Sequence, residues 1–313
     1  MTDQESAFQL PTRAAFVVGL KRSGTSLLKS LLDGHPGLWV LPRESKTFHW
    51  REAKDPVAAL LKKTKYRECF PEGSDEGAAF DAALSKRLTP EALSSVPESI
   101  RALADTVAEV RGCPTAATYW MEKTPDHLLD VSGLLRAFGP QTRVVCTIRD
   151  PRAQIASRAR RRAPGEHFPI SRFAYKWALA DSLMEHFEAN HPEFLLVRYE
   201  DTVLKTRETV ERVLSHLELD WTENQLTPTR EGTDWSANSS YEKKTQGITT
   251  GSLERYREQL EPSQIEEIER LLAPRMRRRG YEPGKQASAG GGAKRWLMEL
   301  RAGRQASRHL KRA

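Results

Sequence analysis

Long hydrophobic runs are missing from this sequence. No stretch of it approaches the roughly 20 consecutive apolar residues that cross a bilayer, and the opening MTDQESAFQLPTR has neither the basic nor the apolar segment of a secretory leader. The expected location is therefore the cytoplasm. Cysteine is scarce: Cys69, Cys113 and Cys146 are odd in number, far apart and without a C-x-x-C pair. That argues against a disulfide framework or a zinc site, and predicts free buried thiols in a reducing compartment. The eight histidines show no ligand-like spacing, so no metal site is expected. Internal repeats are absent as well. Positive charge is in excess, with a net +7, but residues 285–313 hold eight basic residues against one acid, which equals the whole excess. The remainder is electrically balanced, and nucleic acid is not an expected partner.

What is present begins with a phosphate-binding loop that lacks its lysine. Residues 16–28 read FVVGLKRSGTSLL, an apolar strand followed by a loop and a helix. Gly19 and Gly24 have the spacing of a nucleotide P-loop, G-x-x-x-x-G-K-[ST]. Thr25 stands where that motif has lysine, and the cations lie upstream at Lys21 and Arg22. Backbone N–H groups and the positive end of the helix dipole still suit such a loop to an anion. It is poorly suited to ATP hydrolysis.

Short apolar runs predict strands at 14–18, 143–148 and 193–198, with a weaker one at 38–41. Helical patterns fall at 25–33, 90–110, 126–138, 151–162, 171–190 and 206–216. Strands that are apolar throughout are buried on both faces, and their alternation with helices predicts a doubly wound α/β fold with a P-loop-like parallel sheet flanked by helices. Residues 1–13 form a lead and 14–284 the main domain. Within it, 53–115 read as a helical insertion. A Gly-rich linker, ASAGGGA, opens the basic tail at 285–313, which is expected to be a disordered, solubilising segment. The other reading of the tail is a basic helix with Trp296, Leu297 and Leu300 on one side, suited to a membrane surface or an anionic partner.

A second cluster, TIRDPRAQIASRARRR, follows the strand at 143–148. Arg149 lies at the carboxyl end of that strand, where open α/β sheets bind ligands. Ser157 and Arg161 are one helical turn apart, and with Arg149 they can hold a second anionic group. The same residues would also make an ordinary solvated basic face.

Taken together, GLKRSGTS and RDPRAQIAS resemble the two signatures of sulfotransferases that use 3′-phosphoadenosine 5′-phosphosulfate (PAPS). The likeness continues through D-G-H-P at 33–36, MEKTPDHL at 121–128, VRYEDTVLKTRETVERVLSHLEL and ITTGSLERYREQLEPSQIEEIE, and so spans about residues 14–284. It implies that Arg22, Ser23, Gly24, Thr25 and Ser26 bind the 5′-phosphosulfate, and that Arg149, Ser157 and Arg161 bind the 3′-phosphate. Tyr199 would stand beside the co-substrate, with Arg255 near it and Ser240 in the lid-like loop before Arg255. Glu44 is the implied general base, although one more residue separates it from Asp33 than in the tyrosylprotein enzymes. Arg22 and Lys123 would stabilise charge on the transferring group. The co-substrate is PAPS, no metal is needed, and the acceptor carries a hydroxyl, or else an amine.

Other readings stay open at this point. His49 is an alternative base, and the other reading of Glu44 is a surface acid paired with Arg43 or Lys46. A small-molecule kinase would need a lysine at Thr25 and a magnesium-holding aspartate, for which Asp150 is the candidate. A nucleotide-binding module without turnover is a third class. Lys62, Lys63, Lys65 and Arg67 hint at an anionic acceptor, or else form a solvated helix face.

Overall fold

The computed structural model describes residues 10–160, 168–234, 248–284 and 292–312. Its centre is a five-stranded, wholly parallel sheet of β1 (Arg13–Gly19), β2 (Leu38–Val40), β3 (Tyr119–Lys123), β4 (Arg143–Ile148) and β5 (Phe194–Arg198), in the order β2-β3-β1-β4-β5. β1 is apolar throughout because both of its faces are covered. Phe16 and Val18 point into one hydrophobic layer, and Ala15 and Val17 into the other. Phe16 packs edge-on to Trp120, with ring centroids 5.5 Å apart. Truncating such a ring to alanine costs about 3–5 kcal/mol. The register sets Val17 beside Lys123 and Gly19 beside Thr147, so the loops after β1, β3 and β4 leave the same edge of the sheet.

β3 escaped the sequence reading although it lies next to the central strand. Its sequence, YWMEK, ends in two charged residues, which break the apolar run by which buried strands are recognised. All five residues are buried nevertheless, because the polar ends find partners in the site described below.

Helix α1 (Thr25–Leu32) leaves the first loop and buries Leu28, Leu31 and Leu32 against the layer that holds Val17. Residues 53–115 contain α2 (Pro56–Thr64), α3 (Asp75–Arg87) and α4 (Val96–Arg111), with no strand. α4 begins six residues later than its pattern suggested. Ser95 caps it there by accepting the Glu98 N–H at 3.3 Å, and Pro97 fits the first turn. The helix predicted at 126–138 divides into a 3₁₀ turn at Pro125–Asp130 and α5 (Val131–Phe138). His127, in that turn, points inward to Glu122 and Thr47 rather than along a helix surface.

α6 (Pro151–Ala159) starts on Pro151, with Asp150 capping it through the Arg152 N–H at 2.8 Å. α7 (Ile170–Asn190), α8 (Tyr199–Leu204) and α9 (Thr206–His216) follow, then the short α10 (Tyr256–Gln259), α11 (Pro262–Arg278) and α12 (Gly292–Arg312).

Over residues 292–312 the basic segment is thus helical rather than disordered. Met298, Ala302 and Ala306, four apart, form a buried face. Ion pairs extend that contact beyond what three small apolar side chains would hold. Arg275 of α11 binds Asp181 of α7 at 2.7 Å and Glu299 of α12 at 2.9 Å. The sequence reading counted the apolar face alone, and the partners of Glu299 were invisible to it.

Candidate active site

The first loop is held in shape by groups that point away from the cleft. Ser23 turns its hydroxyl inward, 2.6 Å from the Leu20 carbonyl and 2.7 Å from Thr147 Oγ1, and its N–H closes the turn on Leu20. It therefore positions the loop rather than facing a ligand. Arg22 adopts φ 78°, a left-handed conformation uncommon outside glycine. Two contacts hold it there: its Nε donates to Ser157 Oγ at 2.8 Å, and its carbonyl accepts from Arg149 at 3.2 Å. Gly24 has φ 101°, and a Cβ there would lie 2.3 Å from the Tyr199 ring. Glycine is thus required by backbone and by neighbour alike. α1 begins at the next residue, with the N–H groups of its first turn at the loop mouth.

The second motif meets the first through these same contacts. Arg149 is buried. Its guanidinium lies 4.3 Å over the Tyr199 ring and donates to the Ser252 carbonyl at 2.6 Å, while Tyr199 Oη and Ser252 Oγ are 2.6 Å apart. The Nε of Arg149 is buried with no hydrogen-bond partner among the described residues. Arg255 follows Ser252 by three residues, at the start of α10. Arg161 and Ser240 lie outside the described residues. Asp150, which a kinase would need for magnesium, caps α6 and is tied to Arg152 by contacts of 2.8 to 3.2 Å on both oxygens, with Nη2 at 2.6 Å. Among the described residues no three acids, histidines or cysteines converge as a metal set.

Lys123, at the end of β3, joins the loop to the candidate base. Its Nζ donates to Ser26 Oγ at 3.2 Å and forms an ion pair with Glu44. Lys46 stands 3.8 Å from the other Glu44 oxygen. Glu44 is 26% exposed and Lys123 only 7%, so the lysine is the fixed member and the carboxylate opens to the cleft. That cleft holds about 1000 Å³ and is lined by Arg22, Thr25, Ser26, Glu44 and Lys123 among others. His49 is on its rim, 3.4 Å from Asp126, which also pairs with Lys21.

Residues that the sequence reading did not single out brace the Glu44 loop. Glu122, fully buried, accepts from the Ser45 N–H at 3.0 Å, Ser45 Oγ at 2.9 Å and Thr124 Oγ1 at 2.5 Å. Its other oxygen meets His127 Nδ1 at 3.0 Å, and His127 Nε2 meets Thr47 Oγ1 at 2.9 Å. Burial alone would raise the Glu122 carboxyl, yet the His127 interaction and these hydrogen bonds hold it below the usual range. From the other side Lys29 of α1 donates to the carbonyls of Leu41 at 2.6 Å and Pro42 at 3.0 Å. Burial, with the charge of Lys123 beside it, lowers the Lys29 ammonium to about 8. Glu122 stood in view beside Lys123, but only the fold shows that one of its partners, Ser45, follows Glu44 in the chain. Lys29 carried no signal beyond its place one turn into α1.

Comparison with known proteins gives a family and a fold. Residues 14–223 match the Sulfotransferase family. The chain is 23% identical over 288 residues to "Protein-tyrosine sulfotransferase 1" of Danio rerio, covering 86% of this chain and 72% of that one. It is 22% identical over 288 residues to "Protein-tyrosine sulfotransferase 2" of Gallus gallus, covering 86% and 69%. Among solved structures, the sulfotransferase domain of the Synechococcus PCC 7002 olefin synthase aligns at a TM-score of 0.52 and 20% identity, covering 84% of this chain and 93% of that one. The sulfotransferase domain from the curacin biosynthetic pathway aligns at 0.55 and 16% identity, covering 88% and 100%. These two share the fold.

Proposed function

Because this chain belongs to the sulfotransferase family, we propose that its cleft transfers the sulfuryl group of PAPS to an acceptor hydroxyl, with Glu44 as general base and Lys123 and Arg22 as charge stabilisers. The observation that carries the reading is the position of Lys123, which touches Ser26 of the anion-binding loop and Glu44 at once. A group seated at the loop and a hydroxyl seated at Glu44 are therefore neighbours.

The residues fit such a co-substrate. Arg22 and Lys123 border the loop mouth, and the buried Arg149 keeps an N–H, Nε, with no partner among the described residues. When bound, PAPS supplies an activated sulfuryl group. Glu44 takes the proton of the attacking hydroxyl as the new S–O bond forms and the bond to the departing phosphate breaks. Lys123 shifts its charge from Glu44 toward the transferring group. This frees the carboxylate and offsets the charge that builds on the leaving side, the term that usually dominates such catalysis. Arg22, fixed by Ser157, serves the same charge from the loop. A tyrosine hydroxyl belongs in any acceptor panel, since the named relatives are protein-tyrosine sulfotransferases.

The test has two parts. The first is a thermal melt with and without millimolar 3′,5′-ADP, which should raise Tm by mass action. The second is sulfate transfer from labelled PAPS to peptides, glycans, lipids and phenols, read by mass spectrometry. An intact fold with no nucleotide shift would overturn the reading. Tighter binding of ATP with magnesium would restore the kinase.

A further inference from the structure

We propose that α12 docks this protein on an anionic membrane surface, through a face that the fold leaves outward and that catalysis does not use. The inference is independent of the reaction assigned to the cleft.

The helix has two faces of opposite character. Met298, Ala302 and Ala306 turn inward and are buried. The single acid of the segment, Glu299, also turns inward, where Arg275 holds it. The other side carries Leu297, Arg301, Arg304, Arg308 and Lys311, at spacings of three and four that place them along one stripe. All five are exposed, and Lys294 extends the row. Trp296 is 62% and Leu297 44% exposed at the start of the stripe, with Leu300 half-buried beside them. A row of cations without an acid, headed by an exposed tryptophan and leucine, is the composition of a helix that lies in a bilayer interface. Its charge complements anionic headgroups. The exposed leucine beside the tryptophan favours a bilayer over a nucleic acid or a glycan, because bases and sugar rings stack on an aromatic side chain but offer no apolar interior to an aliphatic one.

Along α12, Glu299 meets the Arg275 that also holds Asp181, and Gln305 meets Tyr175, so α12 runs antiparallel to α7. Its second half therefore lies beside the first turns of α7, where Phe173 lines the cleft. Docking through the stripe holds that end of the molecule near the surface.

The experiment is cosedimentation of the full chain with large vesicles of phosphatidylcholine alone and with about 30 mol% phosphatidylglycerol, at roughly 0.1 M salt. The expected result is binding to the anionic vesicles and none to the neutral ones. The triple variant Arg301→Gln, Arg304→Gln, Arg308→Gln should lose about a hundredfold in partition, at the usual worth of a cation near such a surface. Trp296→Ala should lose severalfold with the charge intact. A melting temperature and nucleotide shift equal to those of the native protein keep the variants interpretable. Equal binding to both vesicles, undiminished binding of the triple variant, or retention on heparin or DNA without vesicle binding would each overturn the assignment.

Discussion

The molecule carries two concentrations of positive charge, and they are built differently. In the cleft each cation has assigned partners: Arg22 holds Ser157, Lys123 holds Ser26 and Glu44, and Arg149 holds two backbone carbonyls and stacks on Tyr199. On α12 the cations stand outward along a stripe. Fixed charges aimed at one point act together and lose their effect when one is misplaced. Charges spread along a face act in parallel, each with a small and salt-screened share. The same side chains thus do precise chemistry in one place and supply adhesion in the other, and what separates them is how their donors are held.

Breaking the cleft should have the largest effect. Glu44→Gln keeps the shape of the base and removes its proton affinity, so turnover should fall by about 10²–10⁴-fold while stabilisation by 3′,5′-ADP persists. Transfer rates and melts on one preparation check both halves. Lys123→Ala should cost about 10²–10³-fold, and acceptor affinity should change too because Glu44 loses the nearer of its two lysines. A variant of either kind with native turnover would remove that residue from the mechanism.

Gly24→Ala sharpens the comparison by leaving every charge in place. The new Cβ meets the Tyr199 ring in a backbone conformation that L-residues avoid. The expected outcome is a loss of about 1–3 kcal/mol in stability, read by denaturant titration, together with weaker nucleotide binding. Should the substitution be silent, the loop would be more pliant than its contacts imply.

How much of this was legible in the sequence follows from the same contrast. Four strands and the loop motif could be read because they are local: apolar runs for β1, β4, β5 and, more weakly, β2, and glycine spacing for the turn between β1 and α1. β3 could not, since Glu122 and Lys123 look like solvent-facing residues until the fold brings Ser45 to the first and Ser26 and Glu44 to the second. Resemblance points to Glu44, Arg22 and Lys123, and the fold brings Glu44 and Lys123 into contact. It points to Ser23 likewise, whose hydroxyl serves the loop. Lys29 and the partners of Glu299 depend on tertiary contacts that no spacing encodes.

Lys29 gives a smaller effect with a definite sign. Its ammonium is lowered to about 8 in the folded chain, against roughly 10.4 for an unfolded lysine. Between those values the unfolded state binds more protons, so this group makes stability rise with pH across that window and contributes no slope below it. Lys29→Met removes that term. The Tm of the native protein should therefore gain on that of the variant from pH 8 toward pH 10, and a constant gap would mean that Lys29 titrates normally.

The smallest effect is expected on α12. Arg304→Gln in vesicle-free solution should leave turnover within about twofold and stability within about 0.5 kcal/mol, as for an exposed residue away from special features. Ala302→Glu, on the opposite face of the same helix, should lower Tm clearly, because it forces an unpartnered carboxylate into a position that is now fully buried. If instead Arg304→Gln slowed transfer as much as Lys123→Ala, the division between placed and spread charge would fail, and α12 would have to be counted as part of the active site.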